Sequence, residues 1–468
     1  MHYHPHTEGD VRRALDAVGV ASLDDLFNDL PSRLRNPHID MAPGMDESTL
    51  LDHLRGLAAK NTVAGADFLG GGVQRHFMPS VTPHLAMQSE FVTAYTPYQP
   101  EVAQGILQAT FEFQTIMSEL TGLPVSNASM YDGASATAEA ALLAVRHTGR
   151  QRIIVSRGVH PETRQVLLTY LEPLGVSLDV ADLDPHVTRP LEVGPDVAGV
   201  IVQQPNYLGY LEHMRSLTDA AHAGGALMIA VVEPLSLAVL APPGEYGADV
   251  AVGDGQTLGN FANFGGPHFG FMVVREDLIR QFPGRIVGQT TDVDGKRAFV
   301  LTLQAREQHI RRSKAKSNIC SNHQLTALMA TVNVSALGAA GLHDIAVGSV
   351  QRAHELAERL TAAGFSPAVG ASFFNEFVLP TSVPASEVRS RLARHQVHAG
   401  VVVPAEYGFG DAIVLSATER TSAADIERLI TALSASGITG GVADGRRNGA
   451  RSSAADGAAV HGSEGAHV

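Results

Sequence analysis

The stretch ADVAVGDGQTLGNFANFGGPHFGFMVV, Ala248 to Val274, reads as an apolar strand, a glycine-rich loop and a second apolar strand. A lysine on such a loop is a common place to hold an aldehyde cofactor such as pyridoxal phosphate as a Schiff base. Gln256 stands there instead. An amide nitrogen shares its lone pair with its carbonyl and cannot form the imine. Two other features belong to the frame of such a site. In NASMYDGASATAEAALLAV, the small turn Asp132, Gly133, Ala134 and Ser135 opens an Ala-rich helix. Backbone N–H groups and the helix dipole suit a phosphate there, although a plain helix N-cap has the same signature. In MIAVVEP, Glu233 ends a buried strand. A carboxylate so placed can keep a pyridine nitrogen protonated, or it can be an acid at the sheet edge. The frame is present and its reactive amine is missing.

No other lysine fills the gap. The four in the chain are Lys60, Lys296, Lys314 and Lys316. Lys60 ends a helical segment, Lys296 sits in the turn DVDGKR, and Lys314 and Lys316 lie in the basic run REQHIRRSKAKSN. None follows a strand–loop pattern, which argues against an autonomous pyridoxal-phosphate enzyme. The loop SEFVTAYTPYQPEVAQG, Ser89 to Gly105, is the remaining unusual segment. Its prolines restrict φ, so Tyr95, Tyr98 and Gln99 are held in a stiff polar surface suited to binding, or in a packed turn. His2, His4 and His6 alternate as in a metal tag but lie at a terminus, and no metal site is expected. Gly70 to Gly72 do not follow a strand as a dinucleotide fingerprint must.

The elements that position these residues are legible from periodicity. The first sixty residues read as helical, with a capping box at Ser22–Asp25 and a stripe of Leu50, Leu51, Leu54, Leu57 and Ala58. A long helix is expected from Pro100 to a stop at Gly122, with Val102, Ile106, Ala109, Phe113, Ile116, Met117 and Leu120 on its apolar side. Thereafter RIIVS, AGVIVQQ, ALMIAVV, ADVAVG and GFMVV alternate with helices opening at Pro161 and near Met214. Continuous apolar strands of this kind predict a mainly parallel sheet covered on both faces. From about residue 323, two Ala-rich helices precede EFVLP, SEVRSRLARH, DAIVLS and AADIERLITAL, a smaller α/β unit. The expected division is a helical arm 1–62, a large domain 63–322, a small domain 323–440 and a disordered tail 441–468, where large apolar residues are almost absent.

Bulk properties narrow the class. The 468 residues are 44% hydrophobic and 18% charged, with a net charge of −14 and the single cysteine Cys320. The acidic balance argues against a nucleic-acid surface. One cysteine excludes an internal disulfide and a multi-cysteine metal site. No apolar run approaching bilayer length and no secretory signal are read, so the expected location is cytoplasmic.

TAYTPYQPE, FEFQTIMSELTGLPVSNASMYDGA, FGGPHFGF and PGRIVGQTTDVDGKRAFVLTLQAREQHIRRSKAKSNIC occur together and in order. Through them the chain resembles the glycine-cleavage P-proteins, and within them the α-chains of two-chain forms, from about His6 to Gly437. The resemblance implies an α/β fold of the pyridoxal-phosphate-dependent transferase fold type I (aspartate-aminotransferase-like), a mainly parallel sheet with a smaller C-terminal α/β domain. It implies that the cofactor lysine belongs to subunit 2, in an α2β2 heterotetramer with its active site near the contact between subunits. The implied reaction decarboxylates glycine, releases CO2 and passes the aminomethyl group to the lipoyl disulfide of H-protein. Gln256 then marks a duplicated unit that lost its own catalysis, with Asp132, Gly133, Ala134, Ser135 and Glu233 as a vestigial frame. Tyr95, Tyr98, Gln99 and Glu101 are then expected at the mouth of the partner's site. The alternative is a catalytically inactive regulatory or scaffolding protein on the same fold.

Overall fold

The computed structural model describes residues 5–35, 37–61, 63–92 and 94–441. His2, His4, Thr93 and, apart from Gly441, the expected tail lie outside them. The chain forms two compact units, divided after residue 62.

In the first unit, Thr7 caps the helix Glu8–Val18 and Asp46 caps the helix Glu47–Ala58. The Ser22–Asp25 box forms, with Asp25 accepting from the Ser22 N–H at 2.8 Å. It heads only a short 3-10 turn, Asp24–Phe27, rather than an α-helix. Leu50, Leu51, Leu54 and Leu57 remain exposed.

The second unit is built on a seven-stranded sheet. Across it run Val125–Ser126, Gly270–Val274, Val250–Asp254, Leu227–Val232, Val197–Gln204, Arg152–Ser156 and Ser177–Ala181. The last five are mutually parallel, and Gly270–Val274 runs against its neighbours on both sides. The apolar strands GVIV and MIAV follow from burial on both faces. Ala140 and Leu143 of the helix Gly133–Thr148 pack in one core with Ile153, Ile201, Ile229 and Val252 of the sheet. Phe113, Met117, Val200, Val202, Met228 and Ala230 pack on the other side. A three-stranded antiparallel sheet, Glu376–Pro380, Ala412–Ser416 and Val401–Val402, carries the helices Ala385–Ala393 and Ala423–Ala435 over its own core.

Three sequence expectations are corrected here. The helix expected from Pro100 begins at Gln104, because Pro100–Val102 form a 3-10 turn and Ala103 leaves helical geometry at φ −128° and ψ 22°. Val102, expected on the apolar side, is consequently 77% exposed. The two Ala-rich helices form one element, Gln324–Ala362, interrupted at Gly338 (φ 64°, ψ −177°). By length and composition this element could cross a membrane, contrary to the expectation that no run approaches that length. Its small uncharged residues supply the hydropathy, and Ala327, Val334, Ile345 and Ala346 pack in the sheet core. The segment around Lys296 is a hairpin of Ile286–Thr291 with Arg297–Thr302, strands that periodicity did not reveal.

Candidate functional site

The carboxyl ends of the parallel strands bring Gln204, Glu233, Asp254 and Gln256 to one edge of the sheet. Ligands bind at this edge in open α/β sheets. Gln256 begins a 3-10 turn just past its strand and is 3% exposed. Its side-chain carbonyl accepts from the Gln74 N–H at 2.9 Å, and its amide donates to the carbonyls of Gln74 at 2.8 Å and Asn260 at 2.9 Å. The place where a cofactor lysine would be sought is thus held by a fully engaged amide.

The phosphate seat is engaged as well. Asp132 caps the helix Gly133–Thr148, accepting from the Ser135 N–H at 2.7 Å. The Asp254 carboxylate takes the Gly133 N–H at 3.4 Å and the Gln256 N–H at 3.0 Å. A Cβ on Gly133 would lie 2.7 Å from the Asp254 nitrogen, so only glycine permits this approach. His268 reaches Asp254 at 3.5 Å. Burial disfavours the charged ring, but the Asp254 carboxylate outweighs it and raises the His268 pKa. Two carboxylates therefore hold the groups a phosphate would use. Ala134 lies between Gly133 and Ser135 in the same helical turn. Glu233 caps its own 3-10 turn, accepting from the Leu235 N–H at 3.0 Å, the Ser236 N–H at 2.7 Å and the Thr257 hydroxyl. Among the expected frame residues, Asp132 to Ser135, Glu233 and Gln256 do converge, but their hydrogen-bonding groups serve the chain itself. They do not fit pyridoxal phosphate: the amine is absent and the anion seat is acidic.

The tyrosine loop forms a second cluster. Tyr95 is 84% and Tyr98 49% exposed, and Gln99 and Glu101 also face solvent. Beneath them Arg285, 4% exposed, donates from Nη2 to the Tyr98 hydroxyl at 3.1 Å and lies 5.5 Å from the ring centroid. Glu307 approaches Arg285 at 3.7 Å, and the His309 ring meets Tyr98 edge-on at 5.8 Å. Arg285 Nε and Nη1 and Glu307 Oε1 have no hydrogen-bond partner among the described residues. Gln104 ties the loop's end down by donating to the carbonyls of Pro100 at 2.7 Å and Phe299 at 2.9 Å. The loop is therefore pinned from below and open above. All four lysines are exposed.

Sequence reasoning missed Gln74, Asp254, Arg285, Glu307 and Glu376. The one legible sign was the triplet Gly70–Gly72, since close approach of backbone to other atoms calls for glycine.

A mainly parallel sheet with helices on both faces, and a smaller α/β lobe on the same chain, define the fold type I class of pyridoxal-phosphate-dependent enzymes. A sphingosine-1-phosphate lyase of Burkholderia pseudomallei K96243 shares this fold at 14% identity and a TM-score of 0.61, over 87% of this chain and 94% of that one. The family model for glycine cleavage system P-protein matches residues 1–433, and the chain belongs to that family. It is 49% identical over 440 residues to the probable glycine dehydrogenase (decarboxylating) subunit 1 of Moorella thermoacetica, covering 92% of this chain and 99% of the relative. A crystal structure of glycine decarboxylase (P-protein) of the glycine cleavage system, in inhibitor-bound form, matches at 52% identity and a TM-score of 0.88, over 93% of this chain and 100% of that one.

Proposed function

We propose that this chain is the subunit of a two-chain glycine decarboxylase that does not carry the cofactor lysine. With subunit 2 it decarboxylates glycine, releases CO2 and delivers the aminomethyl group to the lipoyl group of H-protein, as the aminomethyl-transferring oxidoreductase of the glycine cleavage system. Pyridoxal phosphate supplies the electron sink for decarboxylation and is held by a lysine of subunit 2. The assembly is an α2β2 heterotetramer of the cytoplasm.

The observation that carries this reading is the pairing of a closed site with an open one. Gln256 is locked to backbone where an amine is needed, while the Tyr95–Glu101 loop is stiff, polar and exposed over a buried arginine. A chain serving only as a scaffold has no use for such a loop. Tyr95, Tyr98, Gln99 and Glu101 line the mouth of the subunit 2 site, along the path of glycine or the lipoyl arm. There they orient the incoming group and narrow water access, without bonding to it covalently.

The test is reconstitution from separately purified chains. Exchange of labelled CO2 into glycine should appear only on mixing this chain with subunit 2, cofactor and lipoylated H-protein. Full exchange by subunit 2 without this chain would overturn the proposal.

A further inference from the structure

The segment Gly70–His76 passes beside Gln256 and is hydrogen-bonded both to it and to residues in and beside the smaller sheet. Its Gly71 N–H donates to Glu376 at 2.7 Å, and its Gly71 carbonyl faces the His160 ring. Gln74 is bound through both backbone groups by Gln256, and its side-chain carbonyl accepts from Asn375 at 2.6 Å. Arg75 is held through its carbonyl by the Thr418 hydroxyl at 2.8 Å. His76 closes the run on Glu419 at 2.8 Å. A Cβ on Gly70 would stand 2.0 Å from Glu376 Oε1 and 2.7 Å from Ser416 Cβ, so the strap passes close against the smaller sheet.

Gln256 and Glu233 stand at strand ends of one sheet edge, where a cofactor of this fold class would need its landmarks. Gln256 marks the imine position. Glu233, whose charge is felt at Glu376, marks the ring nitrogen. The strap is hydrogen-bonded to Gln256 on one flank and to Glu376 and Asn375 on the other, and the third landmark, the helix end at Gly133, carries the Asp132 and Asp254 carboxylates.

We infer that Gly70–His76 is a built-in occupant of the ancestral cofactor chamber, with Gln256 as its anchor, so that this chain excludes pyridoxal phosphate and pyridoxamine phosphate both covalently and non-covalently. The hydrogen bonds of one amide replace the tether that a lysine would make to a cofactor. This concerns the chain's own interior and stands whether or not the chain serves glycine decarboxylation.

The test uses the full-length chain without its partner. Calorimetric titration with pyridoxamine phosphate, which needs no lysine, and with pyridoxal phosphate should show no saturable uptake up to about 1 mM, the weak end of specific affinity. Gln256→Lys should give no reducible adduct at position 256. In amide hydrogen exchange, the Gly71 and Gln74 N–H groups should be protected, and Gln256→Ala should speed the Gln74 exchange by at least about tenfold. One equivalent of either phosphate ester bound below that limit would overturn the inference. So would an adduct at position 256, or a Gln74 amide that exchanges like open loop in the unaltered chain. The titration and exchange of the unaltered chain decide the matter even if a variant fails to fold.

Discussion

Gln256 makes three side-chain hydrogen bonds to backbone groups, and that count governs what substitution can do there. Lysine has no acceptor to take the Gln74 N–H and no second fixed arm for the Asn260 carbonyl. Burying those groups unpaired costs about 1–3 kcal/mol apiece. Gln256→Lys should therefore destabilise the chain, and it should yield no glycine-dependent CO2 release by the chain alone, because an amine without an anion seat does not make a site. Measurable release by that variant would show the frame to be more complete than its hydrogen bonds indicate. The tyrosines differ in how far structure and function can be separated. Tyr95 is almost fully exposed, so Tyr95→Ala should change the chain's stability by no more than about 0.5 kcal/mol. It should still lower CO2–glycine exchange by the reconstituted enzyme about tenfold or more, with assembly and cofactor content unchanged. Tyr98→Phe removes the acceptor for Arg285 Nη2, so it should lower exchange and modestly lower stability together. Unaltered exchange on substituting Tyr95, Tyr98 and Gln99 alike would return the loop to a plain structural role.

At the scale of elements, the glutamine amides recur as joints between segments far apart in sequence. Gln104 pairs with both backbone groups of Phe299, Gln114 with both of Val287, and Gln256 with both of Gln74. Each imitates a short piece of β-ladder where no strand is available. The strap at Gly70–His76 is also where pH should act. Burial, aided by the nearby Glu233 charge, pushes Glu376 from 4.5 up to about 7 even though the Gly71 N–H opposes the shift. The folded state therefore binds this proton more tightly than the unfolded state, and the associated stability is fully present below 4.5 and lost as pH rises through 7. Melting of the unaltered chain should weaken across that window, and Glu376→Gln, which keeps an acceptor for Gly71, should flatten the dependence. A profile identical in both would remove Glu376 from the account. The strands Arg152–Ser156, Val197–Gln204, Leu227–Val232, Val250–Asp254 and Gly270–Val274 were legible because burial on both faces writes them as apolar runs, whereas the edge strand Ser177–Ala181, SLDVA, is part-exposed and was not. Val125–Ser126 and the hairpin at Ile286–Thr302 were not, since two residues carry no period and GQTT is polar. The site divided the same way. Gln256 and Glu233 follow directly from strand ends, whereas Gln74 and Arg285 meet their partners across separations of 182 and 187 residues, which no local pattern encodes.

Across the whole molecule, the sheet edge that faces ligands in this fold class is occupied by hydrogen bonds within the chain, while the Tyr95–Glu101 loop stays exposed. The sheet, the helix caps and the smaller lobe form without a lysine on the Gln256 loop, so the family's shape does not depend on an amine there. The C-terminal stretch 442–468 contributes almost no large apolar residues. Its deletion should leave the melting temperature within a few degrees and leave pairing with subunit 2 intact. A larger fall would assign that stretch a packing role its composition does not suggest. The central claim is that this chain never carries the cofactor while the enzyme it completes does. Borohydride reduction of the reconstituted, cofactor-loaded complex, followed by peptide mapping of both chains, tests it most directly. The account predicts a pyridoxyl group on a single lysine of subunit 2 and none on Lys60, Lys296, Lys314 or Lys316; a stoichiometric label on any of those four would contradict it.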